Sequence, residues 1–337
     1  MKILIYSAKD FEIPFLEKAN NDQFRVKYIA DRLTPKTARL ALGFNVVSIF
    51  SSDDASSKVL ELLWGFGVKY VILRSAGYDN VNLKTAERLG MSIANAPDYS
   101  PNAIAEHAVA LLQTVNRKII LADTQVHNYN FLLDNLIGFD LYKKKIGIIG
   151  TGKIGKLLVK IMHGFGCEIL ANDVNKDDSL SEKFDVEYVT LKNLCSNSNI
   201  IIIAVPLTTE THHMIDTKII DCMKKDTILI NIARGAIVKT EELILALKSN
   251  KIRAYATDVY EYEDEVFFYD RSQNRPKDVL LKQLIDLPNV VLTPHQAFAT
   301  QEALTSIAQI TFSSIICWQN ESTSPYELTE ELVITRD

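Results

Sequence analysis

Short runs of β-branched and other apolar residues alternate along the chain with stretches in which apolar positions recur at helical spacing. In the first hundred residues, the helical candidates FEIPFLEKANN and SKVLELLWGFG separate the apolar runs KILIYS, VVSIF and KYVILRSAG. Short continuous apolar runs are typical of strands that are buried on both faces of a sheet. Strands that alternate with helices form parallel sheets, so the pattern predicts a wound α/β fold.

A second series of apolar runs begins near residue 144. Helical stretches such as TEELILALKSN separate several of its members, which are KKIGIIG, EILANDV, NIIIIAVP, DTILINIAR, RAYATDVY and NVVLTPH. A chain of 337 residues is long enough for two domains, each with its own core. The pattern therefore predicts an α/β protein with two doubly wound parallel sheets, of the Rossmann or flavodoxin-like kind.

A long helical pattern lies on each side of the second series. Ser100 is a plausible N-cap, and Pro101 suits a first helical turn, where a missing N–H costs little. Apolar positions then recur at helical spacing as far as Val115, and the segment QEALTSIAQITFSSIICWQN has the same period. If this last helix returns to the first domain, that domain consists of two separate pieces of chain.

The second series opens with a glycine motif. Gly150, Gly152 and Gly155 follow the strand KIGIIG and begin a helical stretch, which is where a dinucleotide-binding loop stands. The first glycine permits a tight turn, the second lets backbone approach a pyrophosphate, and the third lets helix and strand pack closely. Free N–H groups at the helix N-terminus attract the phosphates. Asp173, at the end of the next strand, would bind ribose hydroxyls and repel a 2′-phosphate, so we expect NAD rather than NADP.

Three polar residues fall where later strands end, which is the edge at which open parallel sheets bind ligands. They are Arg234 in NIARGAI, Glu263 in DVYEYEDE and His295 in LTPHQAF. Each alone also fits a structural role, as an ion pair, a solvated loop residue or a turn cap. Together they supply what hydride transfer to a ketone needs, a cation for a carboxylate and an acid for the developing alkoxide. A carboxylate behind an imidazole raises the pKa of the imidazole, which can then donate a proton near neutral pH.

Composition and charge exclude several other classes of protein. Hydrophobic residues make up 47% and charged residues 23%, which is ordinary for a globular enzyme. A formal charge of −5 gives no reason to expect nucleic acid or a membrane as a partner. The first residues lack the long apolar region of a signal peptide, and no apolar run approaches the length of a membrane span. The four cysteines are scattered without a CxxC pair, so we expect reduced thiols in a cytoplasmic protein and no metal site.

Several motifs resemble those of the D-specific 2-hydroxyacid dehydrogenases, over essentially the whole chain. They are LRSAGYDNVNL, PDYSPNAIAEHA, GIIGTGKIGK, INIARGAIV, DVYEYEDEVFFYD and TPHQAFATQEALTSIAQ. The phrase VFFYDRSQ is similar to the lactate-type branch of the family, whereas broader relatives usually carry Glu-Pro in the acidic loop before it. The resemblance implies NADH-dependent reduction of pyruvate to D-lactate, with a small 2-keto or 2-hydroxy acid as the substrate.

The resemblance also implies roles for individual residues. Arg234 would hold the substrate carboxylate and His295 would be the acid–base residue. Glu263 would pair with His295, and Glu261, two positions away, is the competing candidate. Further substrate contacts would come from Ser75, Ala76, Gly77, Tyr99 and Phe298. Besides the three glycines and Asp173, NAD would contact Lys153, Ile154, Val205, Pro206, Thr211, Ile232, Ala233 and, through its nicotinamide amide, Asp258.

In this family a cofactor domain is inserted into a discontinuous substrate domain. The resemblance therefore implies a substrate domain of residues 1–100 and 299–337 and an NAD-binding domain of residues 101–298, in a homodimer or homotetramer. Two alternatives stay open. One is a dehydrogenase for a bulkier 2-keto acid such as 2-oxoisocaproate, which depends on the volume of the pocket. The other is an NAD(H)-sensing protein similar to the corepressors of this fold, against which the set of Arg234, Glu263 and His295 argues.

Overall fold

The computed structural model describes residues 1–264 and 266–329, and the predicted domain range 299–337 therefore ends outside the described residues. The chain divides into two compact units. The first consists of residues 1–100 with the described residues from 299 onward, and the second of residues 101–298. Within the described residues, no helix is long and apolar enough to cross a membrane.

The first unit contains a parallel sheet of five strands. Its strands are β1 (Lys2–Ile5), β2 (Arg25–Tyr28), β3 (Val46–Ile49), β4 (Tyr70–Leu73) and β5 (Ser92–Ala94). Their spatial order is β2-β1-β3-β4-β5, the order of the flavodoxin-like doubly wound folds. The helices of the unit are α1 (Ile13–Asn20), α2 (Ser57–Gly65), α3 (Leu83–Leu89) and the last helix of the chain, α12 (Gln301–Gln319). Side chains of α1 and α12 cover one face of the sheet, and those of α2 and α3 cover the other.

The second unit contains a parallel sheet of seven strands, in the order β12-β11-β10-β9-β6-β7-β8. The strands are β6 (Lys145–Ile149), β7 (Glu168–Asn172), β8 (Glu187–Tyr188), β9 (Ile200–Ile203), β10 (Ile228–Asn231), β11 (Ala254–Thr257) and β12 (Val290–Leu292). The helices are α4 (Pro101–Arg117), α5 (Ile119–His127), α6 (Lys153–Gly164), α7 (Asp178–Phe184), α8 (Leu191–Asn197), α9 (Thr217–Cys222), α10 (Thr240–Lys248) and α11 (Val279–Asp286). Counted from β6, the sheet has the Rossmann order 3-2-1-4-5-6, extended by β12. The predicted fold class, two doubly wound parallel sheets, is confirmed.

Three strands escaped the hydrophobic pattern because none of them is a buried apolar run. In β2 half-buried positions alternate with exposed ones, as suits the edge of a sheet. Strands β5 and β8 are only three and two residues long. Such short or edge strands depend on a neighbouring strand for their hydrogen bonds, which local sequence does not reveal.

A buried ion pair fixes the start of the loop that follows β4. Both nitrogens Nε and Nη2 of Arg74 donate to the carboxylate of Glu12, at 2.9 and 3.0 Å. Two further donors of the guanidinium reach the Tyr6 carbonyl at 2.9 Å and the Ser48 hydroxyl at 3.0 Å. Only 1% of Arg74 and 3% of Glu12 is exposed, so the charges are compensated inside the unit rather than by water.

This geometry predicts that Glu12→Ala strongly destabilises the protein, because it leaves a buried guanidinium without its countercharge. We expect the free energy of unfolding to fall by about 3–5 kcal/mol in urea denaturation. The matched control is Glu61→Ala, which removes the partner of Arg88 from an exposed ion pair and should cost at most about 1 kcal/mol. Equal losses in the two variants would contradict the assignment.

Candidate active site

A histidine and a glutamate meet at the carboxyl edge of the larger sheet. The Nδ1 of His295 lies 2.7 Å from Oε1 of Glu263, and both side chains are mostly buried, with 17% and 22% exposed. The second carboxylate oxygen of Glu263 accepts a hydrogen bond from the Tyr260 backbone N–H at 3.0 Å, which fixes the orientation of the carboxylate. Because Nδ1 is engaged by Glu263, Nε2 is the ring nitrogen of His295 that is left for a substrate.

The competing glutamate, Glu261, belongs to a different pair. Its Oε1 lies 2.6 Å from Nε2 of His213, and its Oε2 accepts the backbone N–H of Thr240 at 3.1 Å. Burial opposes the charged form of this carboxylate, but the hydrogen bonds from His213 and Thr240 outweigh that cost and lower the pKa of Glu261. The structure therefore pairs His295 with Glu263 and not with Glu261.

The residues Arg234, Glu263 and His295 follow three strands that are neighbours in the sheet, β10, β11 and β12. Arg234 is half-buried, and its Nη1 donates to the Ala233 carbonyl at 3.0 Å. A side chain at the next position would collide with backbone, since a Cβ on Gly235 would lie 2.1 Å from the carbonyl carbon of Tyr260. Backbone contact thus brings the Arg234 turn against the turn that leads to Glu263.

Two aromatic rings flank the imidazole of His295. The centroid of the Phe298 ring is 6.5 Å away, and that of Phe268 is 5.8 Å away. Phe298 was among the predicted substrate contacts, whereas Phe268 was not. Its backbone has a φ of 66°, which a bulky residue adopts at a cost. In the sequence, only the family resemblance of the motif VFFYD could have pointed to Phe268. A phenylalanine with a left-handed backbone cannot be recognised from the residues around it.

The glycine loop has the shape that a dinucleotide needs. Gly150 has a φ of 93°, and a Cβ on Gly155 would lie 1.9 Å from the Gly150 carbonyl oxygen, so neither position accepts a side chain. Beside Gly152, by contrast, a Cβ would meet nothing within 4 Å. Gly152 caps α6 without any side-chain hydrogen bond to the helix amides. The loop therefore offers open space at a helix N-terminus, which fits a pyrophosphate.

Asp173 holds this loop in place. Its Oδ2 accepts the backbone N–H of Thr151 at 2.6 Å and the hydroxyl of Thr151 at 3.1 Å, and its Oδ1 accepts the N–H of Asn175 at 2.8 Å. A carboxylate oxygen accepts about two hydrogen bonds, so Oδ1 keeps room for one ribose hydroxyl. The structure thus shows that Asp173 fixes the glycine loop, which the motif did not indicate.

The other predicted cofactor residues fall at the same edge of the sheet. Lys153 and Ile154 form the first turn of α6, Val205 and Pro206 follow β9, and Ile232 and Ala233 follow β10. Thr211 donates its hydroxyl to the Pro206 carbonyl at 2.7 Å. Asp258 follows β11 and is 1% exposed.

Neighbouring His212 and His213 do not lie on a strand, where they would point to opposite faces. They lie in a turn, with ring centroids 3.9 Å apart. No group of three or more potential metal ligands occurs among the residues that the structure describes.

In the first unit, the predicted substrate contacts also follow strand ends. Ser75, Ala76 and Gly77 follow Arg74 in the loop after β4, and Tyr99 lies in the segment after β5. The Ser75 hydroxyl donates to the Gly77 carbonyl at 2.7 Å, and Asn95 donates to the Ala76 carbonyl at 2.7 Å. These two bonds engage carbonyl groups of the loop.

Comparison with known proteins gives a consistent result. Residues 109–297 match the NAD-binding domain of the D-isomer-specific 2-hydroxyacid dehydrogenases. A D-lactate dehydrogenase of Escherichia coli K12 is 40% identical over 97% of this chain and 100% of its own length. The apo structure of the Escherichia coli enzyme superposes with a TM-score of 0.87 at 39% identity and covers 98% of this chain and 100% of that one.

The NAD-complexed D-isomer-specific 2-hydroxyacid dehydrogenase of Lactobacillus delbrueckii ssp. bulgaricus superposes with a TM-score of 0.79 at 29% identity, over 98% of this chain and 100% of that one. Both the sequence match and the similarity in structure extend over nearly the whole chain. The protein therefore belongs to the D-isomer-specific 2-hydroxyacid dehydrogenases, a family of NAD-dependent oxidoreductases.

Proposed function

We propose that the protein is a D-lactate dehydrogenase, which reduces pyruvate to D-lactate with NADH in a reversible reaction. The observation that carries the proposal is the His295–Glu263 pair, whose residues follow β12 and β11 while Arg234 follows the adjacent strand β10. The name of the Escherichia coli relative, D-lactate dehydrogenase, supports the choice of substrate and of the D hand.

His295 is the acid–base residue of the proposed reaction. Bound NADH supplies the hydride that reaches the carbonyl carbon. In the direction of reduction, the imidazolium of His295 gives a proton from Nε2 to the carbonyl oxygen, and in oxidation the neutral ring takes it back. Glu263 holds the ring through Nδ1 at 2.7 Å and carries the countercharge of the imidazolium.

Arg234 binds the substrate carboxylate. A guanidinium offers two parallel donors to a carboxylate and remains charged at any working pH, so it both orients the keto acid and polarises its carbonyl. In this proposal the substrate also contacts Ser75, Ala76, Gly77, Tyr99 and Phe298. Phe298 is supported by its position beside the His295 ring.

The cofactor residues are assigned from the position of each group. The first turn of α6, with Gly150, Gly152 and Gly155 before and within it, receives the pyrophosphate, and Asp173 receives the ribose. Asp258 binds the nicotinamide amide, because its Oδ2 accepts only the Ala297 N–H at 2.8 Å within the described residues. Lys153, Ile154, Val205, Pro206, Thr211, Ile232 and Ala233 complete the proposed contacts.

The two compact units receive different tasks in this proposal. The unit of residues 101–298 binds NAD, and the other unit, residues 1–100 with residues from 299 onward, binds the 2-keto acid. The proposed cellular location is the cytoplasm, in agreement with the four free cysteines.

The chain forms a homodimer or homotetramer in our proposal, through a surface around α5. Nine large apolar side chains there expose between 40% and 86% of their area: Ile119, Ile120, Leu121, Val126, Tyr129, Phe131, Leu132, Leu133 and Ile137. Lys118 and Gln125 both bond to Asn135 and so hold the following segment against the helix. Surfaces as apolar as this are typical of homodimer interfaces, which bury about 800 Å² per partner or more.

The substrate and cofactor are tested together. Purified protein should oxidise NADH much faster with pyruvate than with 2-oxoisocaproate or phenylpyruvate, and the product should be D-lactate. Faster turnover with the bulkier acids would contradict the assignment of pyruvate as the substrate. Faster turnover with NADPH than with NADH would contradict the role proposed for Asp173. Absence of turnover with every 2-keto acid would favour an NAD(H)-sensing protein.

The two His–Glu pairs offer a matched test of the acid–base assignment. His295→Asn and Glu263→Gln should each lower kcat by about 10²–10⁴-fold, because they remove the proton donor or its partner. His213→Asn and Glu261→Gln alter a pair of similar geometry and should stay within about tenfold of the wild type. Steady-state kinetics at saturating pyruvate measures the difference, and similar losses in both pairs would overturn the assignment.

Self-association is tested by light scattering. The double substitution Leu132→Glu and Leu133→Glu places charge in the α5 surface and should convert the oligomer into a monomer. Leu245→Glu is the control, since Leu245 is 67% exposed in the same unit but outside that surface. A wild-type protein that is already monomeric would refute the proposed interface.

A further inference from the structure

We infer that His107 is a positioning residue for His295, acting through Thr293 and Asp258. This inference rests on the proposed function, since it concerns the residue that the proposal makes the proton donor. His107 lies in the first half of α4 and is far from His295 in sequence. Its Nε2 is 3.0 Å from the hydroxyl oxygen of Thr293 and 3.4 Å from Oδ1 of Asp258.

The direction of the hydrogen bonds follows from simple counting. The Thr293 hydroxyl lies 2.6 Å from Oδ1 of Asp258, and a carboxylate can only accept. A hydroxyl carries one hydrogen, so this bond uses the only one that Thr293 has. The Thr293 oxygen must therefore accept from His107, whose Nε2 carries a hydrogen. The result is a directed chain from the His107 ring to the Thr293 hydroxyl to the Asp258 carboxylate.

Asp258 in turn holds the segment that bears His295. Its carboxylate accepts the backbone N–H groups of Gln296 and Ala297, both at 2.8 Å, and its carbonyl oxygen accepts the N–H of His295 at 2.8 Å. These bonds bracket a residue with a φ of 55°, in the left-handed region that histidine enters only when its surroundings compensate. A shift of the Asp258 carboxylate would therefore move the imidazole of His295.

The first residue of this hydrogen-bond chain, His107, stands on a well-packed helix. Helix α4 packs against β10, β11 and β12, the three strands whose ends precede Arg234, Glu263 and His295. Ala105 and Ala108, on either side of His107, are fully buried. Only 16% of the His107 side chain is exposed, so water competes weakly for its hydrogen bond. His107 thus fixes Thr293 and Asp258 from a packed helix rather than from a loop.

The first test compares His107→Leu with His107→Gln. Leucine fills a similar volume without a donor, and we expect kcat to fall about tenfold, while the KM for pyruvate changes by less than about threefold. Glutamine keeps an N–H donor at a similar reach and should restore the rate to within about threefold of the wild type. The control pair His163→Leu and His163→Gln, at an exposed position on α6, should both stay within about twofold of the wild type.

A double-mutant cycle tests the route through Thr293. If His107 acts through this hydroxyl, His107→Leu should slow the Thr293→Val protein by less than about twofold. The inference would be overturned if the rate losses of His107→Leu and Thr293→Val multiplied in the double variant. It would also be overturned if His107→Leu left kcat unchanged, or if His107→Gln were as slow as His107→Leu.

A measurement without turnover separates this inference from the proposed function. In ¹⁵N-histidine-labelled protein free of cofactor, NMR should show a hydrogen on Nε2 of His107, and its signal is identified by its loss in His107→Gln. A neutral ring with the hydrogen on Nδ1 overturns the inference whatever the substrate is. If the wild type reduces no 2-keto acid while Nε2 of His107 carries the hydrogen, the proposed function fails and the directed hydrogen-bond chain stands.

Discussion

The buried carboxylate of Asp258 holds together the segment on which the proposed proton donor stands. It sits directly after β11 and collects the Thr293 hydroxyl and two backbone N–H groups from the turn after β12. These bonds connect the ends of two neighbouring strands. They also hold His295 in a left-handed conformation that points its ring at Glu263. The hydrogen bonds to this carboxylate compensate part of the strain at His295, whose ring lies 2.7 Å from Glu263.

The distribution of the two glutamates shows how backbone contacts select one partner from two similar ones. Glu261 and Glu263 lie in the same acidic loop, and both pair with a histidine. The Tyr260 N–H binds Glu263, and the Thr240 N–H binds Glu261, so each carboxylate is oriented by a different element of the fold. The acidic loop therefore supports two His–Glu pairs, and only the pair of Glu263 contains the histidine that follows β12.

Asp173, on the other side of the same sheet, combines a structural role with a proposed role in cofactor binding. Its carboxylate closes the glycine loop through Thr151, and in the proposed assignment the same charge would disfavour a phosphate on the ribose. The proposal thus links cofactor preference and the shape of the loop in one side chain. The exposed apolar residues around α5, by contrast, take no part in either core of the unit that contains them.

The sequence by itself determined the α/β class, the two series of strands and the glycine loop, because buried parallel strands and a loop that excludes side chains leave strong local patterns. It also indicated Arg234, Glu263 and His295, since polar residues at strand ends interrupt an apolar pattern. Only the tertiary structure decided that Glu263 rather than Glu261 meets His295, that Phe268 flanks the ring, and that His107 reaches Thr293. These contacts join residues on different elements, and the hydrogen bonds that select them depend on the register of neighbouring strands and on helix packing. The edge strand β2 and the short β5 and β8 were hidden for the same reason.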